Sequence, residues 1–337
     1  MAIPLILVAP GLLEQPRDVL ARVASLEALA SVATVEVAAQ GTNTLVLDAL
    51  GIAPGMPIGP LLARGAGIDI DRGYAIVADP VLLAADRDDL VLVDRVDDLT
   101  TDESSGLVAM LNRHFAEDGM HFIELPSSTW IARVDRAPAL QTTSLDVARR
   151  RGVFPHLPTG PDARTWRRWQ NEIQMLLHNH PVNVAREAHG RVPVTGVWFW
   201  GGGCADAIGT LPPIAAMTTR NRLGDIVRAI AQLGGGTHRE LGADDSVQAI
   251  VAASSACSRI VTVDARIDAE SALARFDAER LAPALSLLAR GAVDPLHVIA
   301  DRNSGAARWT GRPRTGWQRL TARAHRKSFT VPDELGR

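Results

Sequence analysis

The sequence predicts an α/β protein in which helices cover both faces of a mostly parallel β-sheet, with a smaller α+β unit inserted into the sheet domain. Three observations carry this expectation. Residues 4–9 are a short continuous apolar run, the pattern of a strand buried on both faces, and residues 259–263 and 296–300 read as further buried strands. Segments with helical spacing of apolar residues alternate with those runs, as strand-helix repeats require. Between about residues 59 and 135 the segments shorten and turn or charge signals crowd in, which marks a unit of different construction.

Taken in chain order, the first run is closed by Pro10-Gly11, and Val19, Leu20, Val23 and Leu26 then follow at helical spacing. In the middle part, Asp71-Arg72-Gly73, Asp86-Arg87-Asp88-Asp89 and Pro126-Ser127-Ser128 are turn signals, and a helix is expected from about Thr101 to Phe115. The clearest helix begins at Gly160-Pro161-Asp162, which supplies a cap, an N1 proline and a first-turn acid, and Pro181 is expected to stop it. Trp166, Trp169, Ile173, Leu176, Leu177 and His180 share one face of that helix, a stripe expected in the core. Leu223, Ile226, Val227, Ile230 and Leu233 form a further helical face stopped at Gly234-Gly235-Gly236. Phe276, Leu281, Leu285 and Leu288 mark another helix ahead of the run at 296–300. The expected division is residues 1–57 and 184–305 for the sheet domain, 58–183 for the insertion with its linking helix, and 306–337 for a basic C-terminal segment. The apolar residues 197–200 are accordingly expected in one sheet with residues 4–9.

A chain of 337 residues is longer than a typical domain of about 100–200, which favours two units. Hydrophobic residues at 47% and charged ones at 22% describe an ordinary globular protein, and a net charge of -3 provides no field to attract nucleic acid or a membrane surface. The N-terminal apolar run is too short to span a bilayer, so a cytoplasmic location is expected. Cys204 and Cys257 are the only cysteines, too few for a disulfide framework or a thiolate zinc site. Lys327 is the only lysine, so Schiff-base chemistry is not expected, and the cations are almost wholly arginine, suited to fork onto carboxylate or phosphate.

The stretch Asn171 to Asn183, ending His180-Pro181-Val182-Asn183, is followed by Arg186-Glu187-Ala188-His189-Gly190 and then by Val197-Trp198-Phe199-Trp200-Gly201-Gly202-Gly203. This succession resembles the helix, His-Pro-Val-Asn turn, charged link and glycine-ended strand of the archaeal-type cofactor-independent phosphoglycerate mutases. Gly65-Ala66-Gly67-Ile68-Asp69-Ile70 and Tyr74 to Pro80 are similar to the start of that family's inserted domain. The tryptophan-rich strand and the Asn-Glu-Ile-Gln-Met-Leu-Leu-His helix also resemble the bacterial RpfE-type regulatory proteins. The resemblance implies an alkaline-phosphatase-like three-layer α/β/α sandwich with an inserted α+β domain. It makes His180, Asn183, Arg186, Gly201, Gly202 and Gly203 the candidate ligand-binding residues. Glycine suits such a place because bare backbone can approach a ligand. A flexible surface turn is the alternative for the three glycines, and a helix-end hydrogen bond or core packing for His180.

The family's chemistry is phosphoryl transfer by two metal ions and a serine nucleophile, with Asp and His ligands on strand-end loops. Here the pattern breaks. Pro10 stands where the first Asp ligand would fall, and Asp301-Arg302 stands where an Asp-His pair would fall. The segment Val263-Asp264-Ala265-Arg266-Ile267-Asp268 contains no His, and Thr42 and Thr44 do not match the family's serine segment. No cofactor is therefore expected. Asp264, Asp268 and Asp301 are the weak candidates for a single hard cation, against the alternative of solvated strand-end carboxylates. His178 and His180, two apart on a helix, point to different sides and do not chelate together.

Two basic stretches complete the inventory. Arg302, Arg308, Arg312, Arg314, Arg319, Arg323, Arg326 and Lys327 are interleaved with Trp309 and Trp317. Such a tail suits nucleic acid or an acidic partner, but a hairpin with a solvated face is the preferred expectation, since no nucleic-acid motif accompanies it. Arg149-Arg150-Arg151 is expected to be a solvated linker. The resulting functional expectation is a non-catalytic bacterial relative of the mutases, a pseudoenzyme that binds a small anionic ligand or a regulatory protein partner. An active mutase or phosphatase with a divalent metal held at other positions is the alternative.

Overall fold

Leu5, Ile6, Leu7, Val8 and Ala9 are each wholly buried, as a strand covered on both faces demands. In the computed structural model, which describes residues 2–38, 41–70, 73–86, 89–125, 129–242, 245–254, 257–302, 305–313, 329 and 331–332, these residues lie in the first strand. The chain divides into two units, Met1–Pro54 with Leu211–Arg337, and Gly55–Thr210.

In chain order the first unit opens with β1 (Ile3–Ala9), α1 (Arg17–Leu20), α2 (Ala24–Val32), β2 (Ala33–Ala38) and α3 (Thr42–Ala49). The second unit contributes α4 (Ile58–Gly65), β3 (Tyr74–Asp86), β4 (Asp89–Arg95), α5 (Thr101–His114), β5 (Met120–Leu125) and β6 (Thr129–Val134). It continues with α6 (Leu145–Ala148), β7 (Arg151–Gly152), α7 (Ala163–His178), α8 (Pro181–Ala188) and β8 (Gly196–Gly203). The chain then returns to the first unit with β9 (Ile214–Thr218), α9 (Arg222–Leu233), β10 (Thr237–Glu240), α10 (Val247–Ala253) and β11 (Arg259–Val263). The last described elements are α11 (Glu270–Phe276), α12 (Ala282–Ala289), β12 (Val293–Arg302) and β13 (Gly305–Gly311).

The first unit holds a seven-stranded sheet in the order β10-β9-β11-β1-β12-β13-β2. The five strands from β10 to β12 pair in parallel, and β13 runs antiparallel between β12 and β2. Leu5, Leu7 and Ala9 share a core with Leu26 and Leu29 of α2, Ile250 of α10, Phe276 of α11 and Leu288 of α12. Because strand side chains alternate, Ile6, Val8 and Ile299 face the other way, where α3 contacts β1 and β12 and α9 contacts β9 and β11. Helices thus cover the sheet on both faces.

The second unit is built on β3, which pairs antiparallel with β6 and β8 near its start and with β4 near its end. Its core joins Tyr74, Ile76 and Ala78 of β3 to Leu107 and Leu111 of α5, and to Trp166, Trp169, Ile173 and Leu177 of α7. Thr100 and Glu103 form a reciprocal capping box at the start of α5, which fixes that helix by satisfying two otherwise orphaned amides.

Five sequence expectations are corrected. Residues 197–200 do not join the sheet of β1, because β8 pairs with β3, and the division after the insertion falls at Thr210 instead of 183. A continuous apolar run reports that both faces are buried, not which strand lies beside it. The C-terminal segment does not begin at 306, because residues 305–311 are β13, an internal strand. Trp309 there packs on Phe329, and Arg308 pairs with Glu36 and Asp48. Arg314, Trp317, Arg319, Arg323, Arg326 and Lys327 lie outside the described residues. Pro181 ends one helix but also starts α8 as its N1 residue, since a helix start needs no amide from proline. Residues 149–151 are not a solvated linker either: the Arg150 amide donates to the Leu92 carbonyl, Arg151 lies in β7, and Arg149 sits 3.5 Å from Asp94.

Candidate functional site

The carboxyl edge of the parallel sheet is where an α/β protein gathers its chemistry. Here α9, which follows β9, and α11, which follows β11, lie on opposite faces of the sheet, so the ends of these neighbouring strands open a crevice. A cavity of about 150 Å³ occupies it, bordered by Thr219 after β9, Gly242 after β10, and Asp264 and Arg266 after β11. Arg275, Glu279 and Arg280 close it from the helical side.

Arg280 lies in a π-turn, residues Asp277–Leu281, between α11 and α12. Although almost fully buried, it donates to Asp264 Oδ1 at 3.2 Å, to the Gly242 carbonyl at 3.3 Å and to the Asp245 carbonyl. Burial pushes the Asp264 carboxyl up to about 6, against the opposing pull of Arg280. Oδ2 of Asp264 is buried and has no hydrogen-bond partner among the described residues.

Beside this crevice the loop after β11 is stitched to the loop after β1. Ile267 donates its amide to the Pro10 carbonyl at 2.7 Å, Gln15 donates to the Ile267 carbonyl at 2.9 Å, and Arg266 pairs with Glu14. Gly11 has φ +76°, and a Cβ there would stand 2.8 Å from the Ile267 carbonyl oxygen, so only glycine suits this junction. Its amide donates to Asp301 Oδ1 at 2.5 Å. Asp268 is exposed. The two-metal centre that the resemblance implies does not fit this donor set: Pro10 carries no ligand atom, Asp264 is engaged by Arg280, and Asp301 by the Gly11 amide. Among the described residues no three His, Cys, Asp or Glu side chains gather as metal ligands.

The other candidates lie in the second unit and hold one another in place. His180 caps α8, its Nδ1 accepting from the Val182 amide at 3.2 Å, and burial, with Arg113 nearby, keeps its pKa below the ordinary histidine value. Asn183 donates to the Leu177 and Val194 carbonyls at 2.8 and 2.7 Å and accepts from the Val194 amide at 2.9 Å, clamping the end of α7 to the segment before β8. The Arg186 guanidinium is buried; it donates to the Val192 carbonyl at 2.7 Å and to Glu103 at 2.8 Å, and pairs with Asp98. Against the opposing effect of burial, Arg186 and Arg191 hold the Asp98 carboxyl below the usual carboxylate range.

Gly201, Gly202 and Gly203 are the last residues of β8, not a turn beyond it. A Cβ on Gly201 would meet Ile58 at 3.0 Å, one on Gly203 would meet Pro57 at 2.5 Å, and one on Gly202 would fall 2.1 Å from the Tyr74 hydroxyl. The missing side chains thus admit the start of α4 and the Tyr74 ring. Trp200 donates to Asp79, a wholly buried carboxylate, at 2.7 Å.

The structure therefore brings His180, Asn183 and Arg186 together as a structural clamp and sets Asp264 at a cavity. Arg275 and Arg280 escape sequence reasoning. A signal for Arg280 existed: with Leu273, Phe276, Ala284 and Leu287 it falls on one helical stripe that is otherwise apolar.

No protein-family model matches the chain. A probable 2,3-bisphosphoglycerate-independent phosphoglycerate mutase of Geobacter sulfurreducens is 38% identical over 53 residues, 16% of this chain and 13% of that relative's length. The likeness to that mutase is thus confined to a 53-residue stretch, a small part of either chain. A protein of Pyrococcus horikoshii superposes with a TM-score of 0.50 at 14% identity, covering 93% of this chain and 88% of its own. The cofactor-independent phosphoglycerate mutase of Thermoplasma acidophilum gives a TM-score of 0.42 at 16% identity, covering 92% and 90%. The fold is α/β and alkaline-phosphatase-like. Among the described residues no helix is long and apolar enough to cross a membrane.

Proposed function

We propose that this chain is a non-catalytic relative of the cofactor-independent phosphoglycerate mutases, a cytoplasmic, RpfE-type regulatory protein that binds a small ligand at the strand-end crevice. One observation carries the proposal: the strand-end groups that would hold catalytic metals are spent on the fold itself. Asp301 receives the Gly11 amide, Asp264 receives Arg280, and Pro10 offers only its carbonyl, already bonded to Ile267. Phosphoryl transfer of the two-metal kind needs free carboxylate and imidazole donors around both the attacking and the leaving oxygen. Arginine at such a place supplies charge and hydrogen bonds, which serve binding.

The test is conversion of 3-phosphoglycerate to 2-phosphoglycerate by the purified protein, with and without manganese, beside metal analysis of the same preparation. The expected result is no turnover above background under either condition. Chelator-sensitive turnover would overturn the proposal in favour of an active mutase.

A further inference from the structure

A cavity of about 320 Å³ lies within the second unit, between the segment after α5, the segment after β6 and the first turns of α7. Trp166 and Trp169 of α7 wall it together with Val134 and Pro138, and the exposed residues Glu117, Asp135 and Arg136 stand at its rim. Trp166 is only 2% exposed, and a tryptophan so deeply set normally donates its indole N–H to an acceptor. Trp130, Trp198 and Trp200, buried to a similar degree, donate to Ser104, to the Thr143 carbonyl and to Asp79. Trp166 Nε1 donates to no group among the described residues, yet it is not one of their sealed polar atoms. Its N–H therefore keeps an opening, which the cavity supplies, and an acceptor on a ligand completes it.

The rim asks for the opposite kind of partner. Asp118 is engaged by the Trp169 indole at 3.3 Å and by Arg168 at 4.0 Å, and Asp162 by the Ala139 amide at 2.7 Å. The carboxylates of Glu117 and Asp135 have no hydrogen bond or ion pair among the described residues, and neither has the Arg136 guanidinium. Asp135 stands over the bare backbone of Gly119, where a Cβ would fall 3.1 Å from its Oδ2.

Accessible acceptors and donors thus face one space. An anion is repelled by Glu117 and Asp135, and a cation offers nothing to the indole N–H and is repelled by Arg136. A neutral molecule with several hydroxyls donates to the carboxylates and accepts from the indole and the guanidinium without bringing in an unpaired charge. Size narrows the class further. A cavity of about 150 Å³ holds benzene, about six heavy atoms, so about 320 Å³ takes about twelve, the count of a hexose.

We propose that this cavity binds a neutral hexopyranose, its hydroxyls donating to Glu117 and Asp135 and one of its oxygens accepting from the Trp166 indole. The C–H face of the sugar ring lies against Trp169, Val134 and Pro138. The inference is independent of the strand-end crevice and of whether the chain is catalytic.

Isothermal titration calorimetry on the full chain tests it with D-glucose, D-galactose and D-mannose, beside the cation putrescine and the anion gluconate. At least one hexose should bind at millimolar concentration, and putrescine and gluconate at least about tenfold more weakly. Glu117→Ala and Asp135→Ala should each weaken that hexose about tenfold, the worth of one charge-assisted hydrogen bond, while leaving the urea midpoint of the free protein unchanged. Trp166→Phe, which keeps an aromatic ring and removes the N–H, should weaken it about fivefold, as loss of a neutral hydrogen bond does. Because that position is buried, the two rim variants decide the matter if Trp166→Phe does not fold. The inference is overturned if all three hexoses fail to bind, if putrescine or gluconate binds as tightly as the best hexose, or if both rim variants bind that hexose like the wild type.

Discussion

The backbone amide of Gly11 donates to Oδ1 of Asp301 at 2.5 Å, tying the loop after β1 to the end of β12 across 290 residues of sequence. A carboxylate in that position serves the loop. Asp301→Ala should therefore cost about 1.5–3 kcal/mol, the range for a hydrogen bond to a charged group, in urea denaturation. Added manganese should not shift the melting temperature of the wild type. A neutral effect of the substitution would show that the bond contributes nothing to folding.

Arg186 should behave as a structural residue. Its guanidinium is wholly buried and serves Asp98, Glu103 and the Val192 carbonyl, so Arg186→Met leaves that carbonyl without its donor and leaves the two carboxylates to Arg191. Losing these charge-assisted bonds should cost about 1.5–3 kcal/mol. Glu187→Ala, on the exposed side of the same helix, should stay within about 0.5 kcal/mol of wild type. Denaturation curves of the two variants make the comparison.

Gly202 is expected to be coupled to Tyr74. A methyl group on Gly202 overlaps the buried tyrosine ring, and overpacking of this sort costs about 1–3 kcal/mol. In a double-mutant cycle Tyr74→Leu should cost less in the Gly202→Ala background than in the wild type, because the smaller side chain relieves the overlap. Strictly additive costs would mean that the glycine is not required by the ring.

His297 supplies a pH dependence. Burial, reinforced by Arg308 and Arg312, pushes its pKa down to about 4, and its Nδ1 lies 3.0 Å from the Thr310 hydroxyl. The unfolded chain takes up a proton near pH 6.5, before the folded one does. Stability from this group is therefore present above about pH 6.5 and is lost as pH falls through the window from about 6.5 to 4. His297→Gln should remove that part of the acid sensitivity, seen as a smaller loss of urea midpoint between pH 7 and pH 4.5 than the wild type suffers.

The helices at residues 101–114, 163–178 and 222–233 were legible because caps, prolines and glycines punctuate a clean apolar period. Strands β1, β11 and β12 were legible for a similar local reason, an apolar run closed by turn residues. Strand β2 and helices α3 and α4 were not, since their apolar faces are short and their burial depends on neighbours distant in sequence. β13 escaped notice because Arg308 and Trp309 resemble a basic surface until Glu36, Asp48 and Phe329 are brought to them.

What the sequence determined by itself is the α/β class, the changed grammar of the middle segment and the absence of a ligand side chain at Pro10, since each is written in residue identity and local period. Tertiary structure alone decided that β8 pairs with β3, that His180, Asn183 and Arg186 are occupied in holding the chain, and that Asp264 and Arg275 meet at one cavity. Pairing partners, hydrogen-bond satisfaction and the fate of a buried charge depend on groups far apart in the chain. Only the folded arrangement brings those groups within a few ångströms of one another.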